Sequence, residues 1–355
     1  MSFKKINKQL TFADLETAFQ NRKNKPLQIL TELNRAISWD SIESTLLKDY
    51  PVGHKREGNA AYSPLLLFKC LLLQKWFRIS SDPELENLIN DRNSFRAFLN
   101  FSAYDVSPDH STFSRFRKRL TARKFDIIIS DILNQFSNKG ITINEGVSVD
   151  ARIVKSASRP VSNKRLKKIR THKNTPEGKH DKNGNPTKFS RDIESDWAIK
   201  NNQAYYGLKE HTSVDTNGFI LKTELSPASV HDTKYFQYCT IFSLRTSNRI
   251  KKVYADKGYH GELNRSFLSL NKFQDGIMRK NTTTAKLTTY EKERNKKISK
   301  VRYIVEQYFG LSHLHDNGQK ARFTTIAKNN IDIWFRQAAY NIRRGLKLTQ
   351  QMALT

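Results

Sequence analysis

Cysteine is almost absent from this sequence. Among 355 residues only Cys70 and Cys239 are cysteines, both have apolar neighbours, and neither belongs to a CxxC or Cys/His spacing. This usage argues against a disulfide framework and against a structural zinc site. We expect both thiols to be small core residues with no role in function.

Long hydrophobic runs are missing as well. No stretch approaches the roughly 20 apolar residues that cross a bilayer, and the first residues, MSFKKINKQLTF, lack the apolar centre of a signal peptide. The sequence therefore predicts a cytoplasmic protein with no membrane partner.

Acidic residues are scarce relative to basic ones. Lys and Arg total 62 against 34 for Asp and Glu, which gives a formal net charge of +28. Such a charge destabilises the compact state by self-repulsion, so a polyanionic partner is expected. Each basic side chain that neutralises a DNA phosphate releases a counterion and raises affinity, which makes nucleic acid the leading partner. A ribosomal or chromatin-like protein would also be basic, but it would have no need for the acids embedded in strands that are described below.

Residues 1–139 have the periodicity of a helical domain, with apolar positions three and four residues apart. Its most apolar segment is SPLLLFKCLLLQKWF, in which Ser63 is a candidate N-cap and Pro64 stands in the first turn of a buried helix. Ser81 and Glu84 predict a capping box for the helix that follows. The succession of short helices resembles a helix-turn-helix DNA-binding domain.

The last of these short helices, in DHSTFSRFRKRL, is strongly basic. Its cations, candidates for DNA contact, are Arg115, Arg117, Lys118 and Arg119. Two interpretations stand side by side, a helix that reads DNA and a charged face that is merely solvated.

From residue 140 to 345 the pattern changes to short β-rich runs. The first three are VSVDARIV, YYGLKEHTSVD and FILKTELSPASV, with Asn217-Gly218 as a hairpin signal between the last two. KKVYADKGYH and FQDGIMRK then alternate with helices, and Thr288 with Glu291 predicts a capping box for a long helix. Three antiparallel strands followed by α/β units are the order of an RNase H-like fold, a mixed sheet flanked by helices. Residues 346–355 are expected to form a tail.

A basic insertion of residues 155–191 separates the first two strands. It contains twelve Lys and Arg, and its only acids are Glu177 and Asp181. Glycine, proline and asparagine occur throughout, so we expect the insertion to build no core. One interpretation is a disordered, solvated loop, and the other is an arm that becomes ordered on DNA. In the second case the expected DNA contacts are Lys164, Arg165, Lys167 and Lys168.

Three acids occupy unusual positions in apolar segments. Asp150 interrupts GVSVDARIV, Asp256 ends a strand in KKVYADKGY, and Glu306 lies in the helical RYIVEQYFG. A buried carboxylate is costly unless a cation accompanies it, and paired Mg²⁺ ions held by carboxylates support phosphodiester chemistry. Taken one at a time, each acid has an ordinary explanation, such as a turn, a cap or a pair with Arg302 one helical turn away.

The segments around these acids resemble the DDE transposases of bacterial insertion sequences, most closely insertion sequence family five. The resemblance runs from about residue 60 to 345 and includes SPLLLFKCLLLQKWF, PDHSTFSRFRKRL, VSVDARIV, YADKGYHG and RYIVEQYFG. It implies that Asp150, Asp256 and Glu306 are a catalytic triad that binds Mg²⁺, with Mn²⁺ as a substitute. It also implies that Arg302 contacts a DNA phosphate or orients Glu306. The implied partners are double-stranded DNA, as element ends and target, and further copies of the chain in a homodimer or larger assembly at the bacterial nucleoid.

Two positions depart from the family's glutamate motif. Ser299 stands where a tyrosine is usual and His313 where a lysine or arginine is usual. Close to the aspartates, Lys209 and Lys257 are candidates for phosphate contact.

Other residue types near the acids have both functional and structural interpretations. His211 and His231 lie near aspartates without a known zinc spacing, so structural roles are favoured. Trp197 and Tyr205 either stack on an unpaired base or pack against the core. The rival functions are a cellular RNase H-like nuclease and a non-catalytic DNA-binding protein derived from a transposase.

Overall fold

The structure is a computed structural model, and it describes residues 3–4, 24–53, 60–102, 104–141, 146–175, 179–180, 191–246, 250–283 and 285–354. The chain divides into two compact units. One consists of residues 1–142 and 334–355, and the other of residues 143–333. Across the described residues no helix is both long and apolar enough to cross a membrane.

The first unit is helical, as the periodicity predicted. Its helices are α1 (Lys25–Ala36), α2 (Asp40–Leu47), α3 (Pro64–Trp76), α4 (Asp82–Asp91), α5 (Asn93–Phe98), α6 (His110–Lys118) and α7 (Ala122–Asn138). Helix α3 is buried on nearly every side, which matches its continuous apolar surface. Even Lys69 of α3 is buried, where its Nζ donates to Asn34 Oδ1 at 3.0 Å and burial lowers its pKa to about 8.

Local cap signals set the starts of these helices. The Ser63 hydroxyl accepts from the Leu66 N–H and the Ser81 hydroxyl from the Glu84 N–H, as expected of N-caps. The predicted box at Ser81 is incomplete, because the Glu84 carboxylate instead accepts from the backbone N–H of Ser80 at 3.0 Å.

The last helix of the chain, α12 (Ile326–Met352), differs from the expected boundaries. Its residues from Trp334 onward belong to the first unit, where Phe335 packs on Phe68 with ring centroids 5.1 Å apart. The Trp76 indole N–H donates to the Ala339 carbonyl at 3.0 Å. Residues 334–345 thus pack with the helical unit rather than with the sheet, and α12 continues through residues 346–352 of the expected tail.

The second unit is built on a mixed sheet that has six strands within the described residues. They are β1 (Gly146–Lys155), β2 (Asp196–Lys200), β3 (Gln203–Asp215), β4 (Ile220–Pro227), β5 (Lys252–Ala255) and β6 (Gln274–Ile277). Strands β1, β3 and β4 pair antiparallel, whereas β5 and β6 run parallel to β1. The order β4-β3-β1-β5-β6 agrees with the RNase H-like arrangement expected from the sequence.

Strand β2 was not predicted from the sequence. It pairs antiparallel with the first residues of β3, Gln203 to Gly207, and extends the sheet beside β4. The predicted hairpin between β3 and β4 is present, and Gly218 adopts a positive φ of 86° there.

The described residues of the second unit also form four α-helices. They are α8 (Asn163–Lys173), α9 (Thr233–Thr246), α10 (Glu262–Leu270) and α11 (Thr289–Asp316). Thr288 and Glu291 form the predicted capping box at the start of α11, with both reciprocal hydrogen bonds present.

Helix α8 corrects the expectation that the basic insertion builds no core. Leu166 of α8 is buried in a small cluster with Val161, Ile193 and Tyr206. Trp197 packs against this cluster and donates from Nε1 to the Val161 carbonyl at 2.8 Å. Of the insertion, residues 176–178 and 181–190 lie outside the described residues.

Candidate active site

The two aspartates lie on adjacent parallel strands at the middle of the sheet. Asp150 is part of β1, and Asp256 directly follows β5. The pairing Val147 with Val253 and Ser148 with Tyr254, continued by two residues, places Asp256 next to Asp150. Neighbouring strands are ~4.8 Å apart, so the two carboxylates lie side by side where β5 ends. Asp256 is anchored in a tight turn, where its Oδ1 accepts from the Gly258 N–H at 2.6 Å.

Helix α11 brings the third acid to the same place. Arg302 of α11 reaches β1, and its Nη2 donates to Asp150 Oδ2 at 2.8 Å. The same nitrogen lies 3.6 Å from Glu306 Oε1, one helical turn further along. The Arg302 side chain is 8% exposed and that of Asp150 18%, whereas that of Glu306 is 56% exposed. One guanidinium therefore bridges a buried and an exposed carboxylate.

The electrostatics of Asp150 reflect all three acids. Burial is the main cause that raises the pKa of its carboxyl from 3.8 to about 6, and the charges of Asp256 and Glu306 raise it further. Arg302 and the Ala151 N–H oppose this rise. Negative charge is thus concentrated where the two strands and α11 meet.

The residues that could hold a metal are these three carboxylates. In the part of the chain that the structure describes, no three His, Cys, Asp or Glu side chains are placed to bind a metal ion as they stand. Instead a guanidinium lies between Asp150 and Glu306 and acts as their counter-ion. An all-oxygen donor set with excess negative charge has the chemistry that a hard divalent cation prefers.

The three basic residues predicted near the acids differ in accessibility. Lys257 is exposed beside Asp256. Lys209 is occupied, since its Nζ donates to the Val230 carbonyl at 2.8 Å and lies 2.8 Å from Asp232 Oδ1. Arg302 is buried against carboxylates, an arrangement that favours orientation of Glu306 over direct contact with DNA phosphate.

The basic helix α6 has one residue that sequence analysis misplaced. Arg117 is 7% exposed and forms a buried ion pair with Asp82 of α4. Arg115 and Lys118 are exposed, and Arg119 is half-buried. Since Phe113 and Phe116 fill the buried face of α6, the position of Arg117 belongs to the core of the first unit.

In α8 the four predicted cations all remain accessible. Each of them is exposed, while Leu166 between them points into the cluster; they are Lys164, Arg165, Lys167 and Lys168. The helix has no acidic residue in its sequence NKRLKKIRTHK. It therefore presents a purely positive surface.

The histidines and aromatic residues near the site have structural partners. His211 is buried, stacks on Tyr235 with ring centroids 4.2 Å apart, and contacts Ser226 Oγ at 2.9 Å. Its burial lowers its pKa to about 4, which keeps the ring neutral. His231 is exposed and bonds to the Thr233 hydroxyl at 2.8 Å. Tyr205 is half-buried, with its hydroxyl 2.6 Å from Gln203 Oε1.

The altered positions of the glutamate motif are on the surface. Ser299 and His313 are both exposed on α11, as is Tyr303. The His313 ring contacts the Gln319 amide nitrogen at 2.8 Å. Neither Ser299 nor His313 therefore has a buried role among the described residues.

One residue of the site was missed by sequence analysis. Tyr259 follows Asp256 by three residues and is 1% exposed, and its hydroxyl has no hydrogen-bond partner among the described residues. Burial raises its pKa, and the nearby charges of Asp150 and Asp256 contribute. In the segment YADKGY only the aspartate indicated a functional residue.

Two family models match the chain. Residues 146–342 match the family model described as transposase DDE domain, and residues 16–119 match the one described as transposase domain (DUF772). The chain is 33% identical over 222 residues to the transposase for insertion sequence element IS1106 of Neisseria meningitidis serogroup B, across 61% of this chain and 71% of that protein.

Two solved transposase structures are similar at low sequence identity. The piggyBac transposase synaptic complex with hairpin DNA has 9% identity and a TM-score of 0.39, covering 93% of this chain and 81% of that one. The Mos1 transposase paired-end complex has 11% identity and a TM-score of 0.22, covering 97% and 89%. Such loose overlays support no argument about the site.

The family models span both units, and the second includes the two strands and the helix on which all three carboxylates lie. On this evidence the chain belongs to the DDE transposases of bacterial insertion sequences, enzymes that cut DNA and transfer its strands.

Proposed function

We propose that this transposase cleaves and joins DNA where Asp150, Asp256 and Glu306 meet, beside the end of β5, and that these three side chains are its metal ligands. The observation that supports this most is the ion pair of Arg302 with both Asp150 and Glu306. This pair joins a strand residue and a helix residue, 156 positions apart in the sequence, to the same positively charged side chain.

Transposases of the DDE family generally use divalent metal ions. When bound, such ions neutralise charge at phosphorus and activate an oxygen nucleophile, with Mg²⁺ as the expected ion and Mn²⁺ as a substitute. The three carboxylates would supply oxygen ligands from two rigid strands and one helix. Arg302 would then share Asp150 with the cation and keep Glu306 oriented through its second pair.

The substrate we propose is double-stranded DNA, first the inverted ends of the element and then the target. Cleavage frees a 3′ hydroxyl at the element's end, and this oxygen attacks a target phosphodiester, so one bond forms as one breaks. Because two ends must reach one target, we propose a homodimer or larger assembly in the cytoplasm at the nucleoid.

Helix α8 is the element that we propose binds DNA in the catalytic unit. Its four exposed cations would neutralise backbone phosphates, and the Leu166 cluster would hold the helix in place. In the helical unit the exposed Arg115 and Lys118 and the half-buried Arg119 would serve the same purpose. Lys257 would contact phosphate next to the reacting bond.

The catalytic assignment is tested by Asp256→Asn. This change should abolish strand cleavage of a DNA duplex that carries the element's end, while the affinity for that duplex stays within about twofold of the unchanged protein. The matched control is Asp275→Asn on β6, because Asp275 pairs with Arg265, Arg279 and Arg294 instead of the triad. Cleavage by the Asp256 variant would overturn the assignment.

The DNA contact of α8 has its own test. Replacement of Lys164, Arg165, Lys167 and Lys168 by alanine should lower the affinity for duplex DNA. If all four cations contact phosphate, the slope of log affinity against log salt should also fall by roughly four, at about 0.9 for each contact. Thr171→Ala changes the exposed surface of the same helix without changing its charge, and should leave the slope intact. An unchanged slope in the fourfold variant would contradict the proposal.

A further inference from the structure

A second buried charge pair, between β1 and β3, lies beside α11, the helix that carries Glu306. Arg152 lies two residues after Asp150 on β1, so both side chains are on one face of the sheet. Its Nε and Nη2 donate to Glu210 Oε2 on β3 at 2.9 and 2.7 Å. Glu210 is 0% exposed, and the Arg152 side chain is 13% exposed.

The pair is tied directly to α11. Arg152 donates from Nη1 to the Phe309 carbonyl at 3.1 Å and from Nη2 to the Ser312 hydroxyl at 2.8 Å. On the other side, the Tyr308 hydroxyl donates to Glu210 Oε1 at 3.0 Å. Three residues of α11, spread over less than two turns, therefore bond to two charged residues of the sheet.

The segment that follows α11 encloses the same guanidinium. The Lys155 N–H donates to the Gln319 carbonyl at 2.7 Å, and the Ala321 N–H donates to the Lys155 carbonyl at 2.7 Å. A Cβ added at Gly318 would lie 2.7 Å from Arg152 Nη2. The backbone at Gly318 therefore lies against the guanidinium, and a larger residue there would displace Arg152 Nη2.

We infer that Arg152 and Glu210 are positioning residues which fix where Glu306 lies relative to Asp150. Glu306 is flanked along α11 by two attachments to the sheet. Arg302, one turn before it, binds Asp150, and Phe309 and Ser312, one to two turns after it, bind Arg152. With both attachments in place, α11 can neither slide along β1 nor rotate about its axis without breaking a charge-assisted hydrogen bond.

Stability alone explains this pair poorly. Burying an ion pair costs desolvation that its attraction often fails to offset, and apolar residues of similar volume are frequently as stable. A guanidinium donates its hydrogen bonds in fixed directions, so it allows only one register between the two elements that it joins. Apolar packing does not fix the register in this way. The residues that support metal ligands commonly change metal affinity or activity about 10- to 100-fold when altered.

The inference rests on the proposed metal-ligand role of the three acids, and the experiment separates the two. Binding of Mn²⁺ to the full-length protein is measured without DNA by electron paramagnetic resonance, with Asp256→Asn as the variant expected to lose the site. Glu210→Gln should keep the volume of the side chain and weaken Mn²⁺ binding about 10-fold or more. Arg152→Lys should weaken it similarly, because one ammonium cannot reach Glu210, Phe309 and Ser312 together.

The matched control is Asp332→Asn. It breaks the ion pair of Asp332 with Arg322, 3.7 Å apart and partly buried in the same unit, and neither residue is one of those that attach α11 to the sheet. If the role of Glu210 were merely structural, Glu210→Gln and Asp332→Asn would both lower the melting temperature. Neither variant would then change the affinity for Mn²⁺. That result would overturn the inference.

Milder variants cover the case in which Glu210→Gln fails to fold. Tyr308→Phe and Ser312→Ala each remove one hydrogen bond from the attachment, and each should weaken Mn²⁺ binding a few-fold. Unchanged Mn²⁺ affinity in both would also overturn the inference. If the unaltered protein and the Asp256 variant bind Mn²⁺ alike, the proposed metal ligands are wrong, and the positioning role is wrong with them.

Discussion

Replacing Asp150 by asparagine should stabilise the metal-free protein while abolishing strand cleavage. In the folded chain the pKa of Asp150 is raised from 3.8 to about 6, mainly by burial. At ~1.4 kcal/mol for each tenfold change in acidity, holding this carboxylate ionised at neutral pH costs about 3 kcal/mol. Asparagine has nearly the shape of the neutral acid and still offers an oxygen to Arg302. We therefore expect a gain of about 1–3 kcal/mol in the free energy of unfolding at pH 7.5.

The sign of the pH dependence follows from the direction of this pKa shift. A group whose folded-state pKa is raised contributes stability below its unfolded value, and that contribution is lost as pH rises through the folded value. The stability difference between Asp150→Asn and the unaltered chain should thus be small near pH 4. It should grow through the window up to about pH 6 and level off above it.

Urea unfolding in EDTA, repeated across this pH range, measures the effect. Asp109 provides a control of opposite sign, because hydrogen bonds from the Ser111 hydroxyl and the Thr112 N–H lower its pKa. Its contribution is present above the unfolded value and is lost as pH falls through the folded one, so Asp109→Asn should lose stability at neutral pH. If Asp150→Asn is no more stable than the unaltered chain at pH 7.5, or if its advantage persists at pH 4, the reasoning is refuted.

Three further changes test the packing around the proposed sites. Tyr259→Phe removes a buried hydroxyl without a partner in the described structure, so the free energy of unfolding should stay level or rise by about 1–3 kcal/mol; a clear loss in urea unfolding would contradict this. Arg117→Met should lower the melting temperature, because removing this cation from the buried Asp82 carboxylate costs about 3–5 kcal/mol, whereas Lys118→Met should leave that temperature alone and weaken DNA binding, and equal melting temperatures would be evidence against the distinction. Leu166→Ala should cost about 2–5 kcal/mol locally and speed proteolysis within α8, and an unchanged cleavage rate would mean that the cluster does not hold the helix.

Local signals in the sequence determined much of the fold. Ser63 and Ser81 cap their helices, and Thr288 with Glu291 forms its box, because a side chain and a backbone N–H only a few residues away suffice for a cap. The strands of the RNase H-like order were predictable for the same reason, since alternation and the Asn217-Gly218 turn are short-range patterns. Strand β2 escaped notice because it has only five residues, DWAIK, and depends on its pairing with β3.

The three acids of the candidate site could be predicted as well, because charge inside an apolar segment is itself a local anomaly. Their placement together was expected only from the family resemblance. The register of β1 with β5 and the reach of Arg302 across to Asp150 are long-range contacts that no nearby residue encodes.

Tertiary structure alone decided whether each basic side chain is exposed or paired with an acid. Arg117 and Lys118 are neighbours in one basic run, yet Arg117 is buried on Asp82, 35 residues away, and Lys118 is exposed. Lys209 likewise forms an ion pair with an acid from another segment, Asp232. Successive side chains of a helix or strand point in different directions. Whether a basic side chain meets an acid there depends on how distant segments pack. The sequence therefore determined that this protein is basic and has three acids within apolar segments. The fold determined which of its basic side chains are exposed and can bind DNA.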